Sequence, residues 1–107
     1  MDEVRSASGR WQVQAGKGDE FVSRWHSWIA WTSENIPGFR SAKLLRSDED
    51  ALLFVSVSDW DDEVSLKAWK ASPGFREKIA AVKNLCDDFE GGDYHVATEV
   101  KAPSVRS

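Results

Sequence analysis

The segment Ala51–Trp60 carries apolar side chains on both sides of one extended stretch, and no other pattern in the chain constrains its fold as strongly. Read with the alternation of a strand, Leu53, Val55 and Val57 point one way and Leu52, Phe54 and Trp60 the other. A strand that is apolar on both faces has to be covered on both. The chain has 107 residues, enough for one compact domain and no more. Its own helices can supply one cover, and the second must come from elsewhere.

The rest of the chain shows which elements are available. Arg10–Ala15 alternates polar with apolar and reads as a strand, closed by Gly16-Lys17-Gly18. Asp19 is the expected N-cap of a helix running to Ile36. Its apolar stripe holds Phe21, Val22, Trp25, Trp28, Ile29, Thr32 and Ile36, with His26 on the border and Trp31 off it. Pro37-Gly38 stops that helix, and Phe39–Arg46 reads as a second strand before the Ser47–Asp50 turn. After Trp60, Asp61 or Asp62 caps a short helix to about Ala71, and Ser72-Pro73 restarts the helix as cap and first position. Phe75, Ile79, Val82, Cys86 and Phe89 then follow at helical spacing. Gly91-Gly92 ends that run, and Tyr94, Val96, Thr98 and Val100 alternate through a last strand.

The resulting order, β-α-β-β-α-β, predicts an α+β, ferredoxin-like chain: a four-stranded antiparallel sheet with helices on one face. The uncovered apolar face of the third strand then predicts a homodimer in which a second copy packs sheet against sheet. Residues 9–101 form the expected single domain, with residues 1–8 and 102–107 as flexible ends.

Composition narrows the function. With 41% hydrophobic and 30% charged residues the chain is globular and not disordered. The longest apolar run, Ala51–Val55, falls far short of the ~20 residues of a membrane span, so no membrane role is expected. Met1–Ser6 lacks the apolar segment of a secretory signal, and the single cysteine, Cys86, allows no internal disulfide; a cytoplasmic location follows as the expectation. Net charge is −4, with lysines and arginines scattered singly among acids, so no nucleic-acid partner is expected.

Six tryptophans are too many for the centre of so small a core, and some must line a pocket or an interface. Trp25 and Trp28 lie on the inward stripe of the first helix, as core or pocket wall. Trp31, off the stripe, suits an interface or a pocket mouth. His26 is a candidate general base, because an unperturbed imidazole titrates near working pH. Tyr94, the only tyrosine, could orient a substrate oxygen or simply sit at a rim. His95 alternates with it among polar neighbours, and Arg40 and Arg46 could pair with an acidic substrate. The acidic run Asp59, Asp61, Asp62 and Glu63 is explained by helix capping, and His26, His95 and Cys86 lack zinc spacing, so no metal is expected. Cys86, read on a helical stripe with Val82 and Phe89, is expected to be a small buried hydrophobe.

Three stretches carry a family likeness: Pro37-Gly38-Phe39, Phe54–Trp60, and Trp69-Lys70-Ala71-Ser72-Pro73-Gly74-Phe75. The chain resembles the antibiotic biosynthesis monooxygenase family over roughly residues 9–101. The resemblance implies a dimeric α+β barrel with a pocket between helices and sheet in each subunit. In the quinone-forming members a small aromatic or polycyclic phenol is oxidised by O2 with no metal or flavin, so no cofactor is implied. By that likeness Trp69 shapes the pocket, with the alternative that it is a hydrophobic plug. His26 or Tyr94 handles the proton, and Trp25, Trp28, Trp31, Phe75 and Ile79 contact the substrate. The chain also resembles the haem-degrading sister branch, whose Trp matches Trp69. That branch has its axial His where this chain has Ile79, and its Asn near Trp11; these two departures count against haem, which stands as the alternative on the Trp69 match. An inert ligand-binding dimer of the same fold is the remaining reading.

Overall fold

The computed structural model describes residues 4–103. The expectation of flexible ends falls in part on residues 1–3 and 104–107, which lie outside the described residues. Four strands, β1 (Arg5–Val13), β2 (Phe39–Arg46), β3 (Leu53–Trp60) and β4 (Cys86–His95), form one antiparallel sheet in the order β2-β3-β1-β4. Three helices, α1 (Gly18–Asn35), α2 (Glu63–Ala71) and α3 (Pro73–Lys83), complete an α+β, ferredoxin-like fold in which the second helix is divided at Ser72. This is the architecture expected from the order of periodicities.

Alternation decides which residues face the helices. Trp11 and Val13 of β1 and Phe54, Ser56, Ser58 and Trp60 of β3 are buried on the inner face. Phe21, Trp25, Trp28, Ile29 and Thr32 of α1 come down on them, with Leu66 and Trp69 of α2 and Val82 of α3. The 3.6-residue period picks out this stripe well, although Val22 stays 38% exposed at its edge. On the outer face Leu53, Val55 and Val57 are half-buried by their strand neighbours and Leu45 is 50% exposed. No helix among the described residues lies over that face.

Local chemistry accounts for the breaks. Ser72 is at once the C-cap of α2 and the N-cap of α3: its Oγ accepts the Phe75 N–H at 3.2 Å, and Pro73 takes the first helical position. Asp62 caps α2 by accepting the Ser65 N–H at 2.8 Å. Gly38, at φ 87°, makes the turn into β2 that a residue with a Cβ adopts only with strain.

Three expectations need correction. Lys17, not Asp19, holds the N-cap position of α1; Asp19 lies in the first turn, where its carboxylate still complements the helix dipole. β1 begins at Arg5, so residues 5–8 are paired strand and not a frayed end. The last strand spans Cys86–His95, so Cys86 and Phe89 lie on a strand and Gly91-Gly92 sits within it, while Val96, Thr98 and Val100 follow it. Helical spacing could continue to Phe89 on paper, but Asn84 and Leu85 turn the chain, and Gln14 N–H binds the Leu85 carbonyl at 2.9 Å.

Candidate functional site

Small residues on two neighbouring strands open a space under the helices. Gly9 of β1 stands opposite Gly91 of β4. A Cβ at Gly9 would lie 2.8 Å from Trp11 Nε1 and 2.9 Å from Ser56 Oγ, so only glycine fits there. Above this floor, Trp25, Trp28 and Ile29 of α1, Trp69 of α2, and Phe75 and Ile79 of α3 form the roof of a cavity of about 360 Å³. That volume and its apolar wall are those of a small-molecule site.

The wall is a continuous aromatic assembly. Trp28 stacks on Trp69 (5.6 Å between centroids, 18° between planes), and Trp69 stacks on Trp60 (4.7 Å, 29°). Phe75 meets Trp28 and Trp69 edge-on, and Phe89 packs on Trp11 at 4.2 Å. Three indole N–H groups are tied to hydroxyls: Trp11 to Ser56 Oγ at 3.0 Å, Trp60 to Ser58 Oγ at 3.0 Å, and Trp69 to Thr32 Oγ1 at 3.2 Å. Thr32 in turn donates to the Trp28 carbonyl at 3.0 Å, so it fixes α2 to α1 from within. Trp28 Nε1 is the one buried side-chain polar atom among the described residues without a partner.

Charge is confined to the rim. The lining contains no Asp, Glu, His or Cys; its ionisable side chains are Lys70 and Lys83. Lys70 donates to Asp93 Oδ1. Lys83 places its ammonium 4.9 Å from the centroid of the Phe89 ring.

Trp69, Trp25, Trp28, Phe75 and Ile79 are thus brought together around one cavity. Three other expected residues are not. His26 is exposed and borders a surface groove with Leu44 and Arg46, because its position on α1 turns it past the buried stripe toward β2. Tyr94 is 59% exposed; it pairs with Ser6 in register, on the outward alternation of β4. Trp31 lies on Gly74, whose Cβ would come within 2.2 Å of its ring, and Lys78 covers the ring at 5.1 Å, so it clamps α1 to α3 outside the cavity. His95 is exposed at the end of β4.

The remaining polar residues have local explanations. Asp59 accepts from Ser6 Oγ at 2.7 Å, Asp61 pairs with Arg40 at 2.7 Å, and the Ser65 backbone N–H holds the Asp62 carboxyl below its ordinary value. Arg46 lies over the Phe54 ring at 4.7 Å. Cys86 is half-buried on β4, and burial, helped by the Asp87 charge, pushes its thiol up to about 11. No group of three or more His, Cys, Asp or Glu residues among the described residues could hold a metal. The cavity does not suit an axially ligated haem either: Ile79 and Trp11 occupy its wall, and both imidazoles lie outside.

Residues that sequence reasoning missed are Ser56, Ser58 and Thr32, which hold the indoles, the glycines of the floor, and the two rim lysines. A signal existed for the first group. Serines at inward positions of a strand otherwise holding Phe54 and Trp60 need buried donors, and indoles are the available ones.

The model of the antibiotic biosynthesis monooxygenase family matches residues 6–81. A comparison with curated proteins finds no match. Among solved structures, a variant of SnoaB, a cofactor-independent oxygenase from Streptomyces nogalater, aligns with a TM-score of 0.86 at 24% identity, covering 94% of this chain and 99% of that one. A conserved protein from Methanosarcina mazei aligns at 0.77 with 22% identity, over 86% and 91% of the two chains. A protein from Shewanella oneidensis aligns at 0.78 with 15% identity, over 90% and 93%. At these identities the likeness is one of fold.

Proposed function

Because this chain belongs to the antibiotic biosynthesis monooxygenase family, we propose that it is an oxygenase that oxidises a small aromatic or polycyclic phenol with O2 and needs no cofactor. The observation that carries this reading is the aromatic lining: a planar ring entering the cavity meets Trp11 and Phe89 on the strand side and Trp25, Trp28, Trp69 and Phe75 on the helix side. In the reaction a phenol gives up its phenolic proton and a ring hydrogen. One oxygen atom of O2 becomes the new quinone carbonyl and the other leaves as water, so the substrate supplies all the electrons. Trp69, stacked between Trp28 and Trp60 and fastened through Nε1, shapes the pocket and keeps the ring plane fixed. No carboxylate or imidazole of the lining can take the phenolic proton, so it passes to water at the mouth. The outer face of the sheet, with Val55, Val57 and Leu45, supports a homodimer packed sheet against sheet.

The test is oxygen uptake across a panel of phenols and anthrones, with product identified by its quinone absorption. The expected result is one O2 consumed per quinone formed, and a lower turnover for Trp69→Ala with dimerisation retained. Saturable binding of phenols without any O2 consumption would replace this reading with that of an inert ligand-binding protein.

A further inference from the structure

The rim of the cavity is electrically lopsided. Lys70 is engaged by Asp93, whereas Lys83 makes no ion pair among the described residues. Its ammonium is held over Phe89, and that ring packs at 4.2 Å on Trp11 in the cavity wall. The acids beside Phe89 on β4, Asp88 and Glu90, alternate away to the opposite face of the sheet. A chain of net charge −4 therefore presents, at the mouth of an aromatic cavity without an acid in its lining, one uncommitted cation. Because that cation rests against apolar ring surface, less water separates it from a ligand seated on the same wall.

We infer that Lys83 is a specificity-determining residue, selecting an aromatic ligand whose anionic group projects from the cavity mouth over a neutral ligand of the same shape. The inference rests on the proposal that this cavity is the ligand site. The aromatic body supplies affinity through the tryptophan wall. Lys83 adds discrimination, because its charge attracts a carboxylate, sulfonate or phenolate and offers little to an uncharged group.

Isothermal titration calorimetry with naphthoate and its neutral amide, naphthamide, separates the two contributions. The native protein is expected to bind naphthoate about fivefold more tightly, the upper range for one partly exposed ion pair. Lys83→Met should bring the ratio to about one while naphthamide affinity is retained. Lys67→Met, an equal charge change on the exposed face of α2 in the Glu63 pair, should leave the ratio intact. A ratio near one in the native protein, or a preference that survives Lys83→Met, overturns the inference alone. Failure of both compounds to bind overturns it together with the cavity as ligand site.

Discussion

Thr32 joins two helices with one hydroxyl, accepting from the Trp69 indole and donating to the Trp28 carbonyl while fully buried. Thr32→Val keeps the shape of the side chain and leaves the Trp69 N–H without an acceptor. The expected cost is about 1–3 kcal/mol in urea unfolding, which is more than an ordinary hydrogen bond contributes net. Wild-type stability in that variant would mean that the indole finds another acceptor. Gly9 makes the complementary case from the floor: Gly9→Ala drives a methyl against Trp11 Nε1 and Ser56 Oγ, so naphthamide binding should weaken as well as stability. Cys86 bears on chemistry. With its thiol pushed up to about 11, the residue stays protonated at neutral pH, so alkylation by iodoacetamide should be slow there and accelerate only as pH approaches that value. Rapid alkylation at neutral pH would contradict the burial that raises it.

Elements were legible in the sequence where they carry bulk. The stripe of α1 is readable because Phe21, Trp25, Trp28 and Ile29 fill the core at helical spacing. β1 is readable from Arg10 to Val13, where Trp11 and Val13 point inward, and unreadable from Arg5 to Gly9, where the inward positions are Ala7 and Gly9. The same holds for β4. Gly91 faces inward, Asp88 and Glu90 face outward, and a pair of glycines reads as a stop although both are paired to β1. The silent stretches of both strands are the ones beneath the cavity, whose space requires side chains too small to show a period. His26 and Trp31 lie outside the cavity for a related reason: a helical wheel gives an angle around the axis, but not which strand or helix stands at that angle. Ser72 was legible because capping is local. Its loss in Ser72→Ala should cost about 1 kcal/mol by thermal or urea unfolding, since it ends one helix and begins the next. A change within error would show that Pro73 alone fixes the break.

At the scale of the molecule, the apolar outer face of β3 is the feature first seen in the sequence, and no helix among the described residues covers it. Val57 sits near the middle of that face, opposite Lys43 on β2 and Ser8 on β1. Sedimentation velocity should show a dimer for the native chain and a monomer for Val57→Lys, because a buried ammonium facing its own symmetry mate has no partner. A dimer that tolerates this change would place the contact elsewhere. The order of elements was readable at this scale, and the cavity was readable only as an excess of tryptophan. What that excess builds has an optical side. Trp28, Trp69 and Trp60 lie close enough for their transitions to couple, and Trp11 reaches them through Trp28. Light absorbed by one indole is shared among the set, so a molecule entering the cavity perturbs the emission of the whole assembly. Occupancy of the cavity should therefore be readable in the intrinsic fluorescence of the protein, with no label attached.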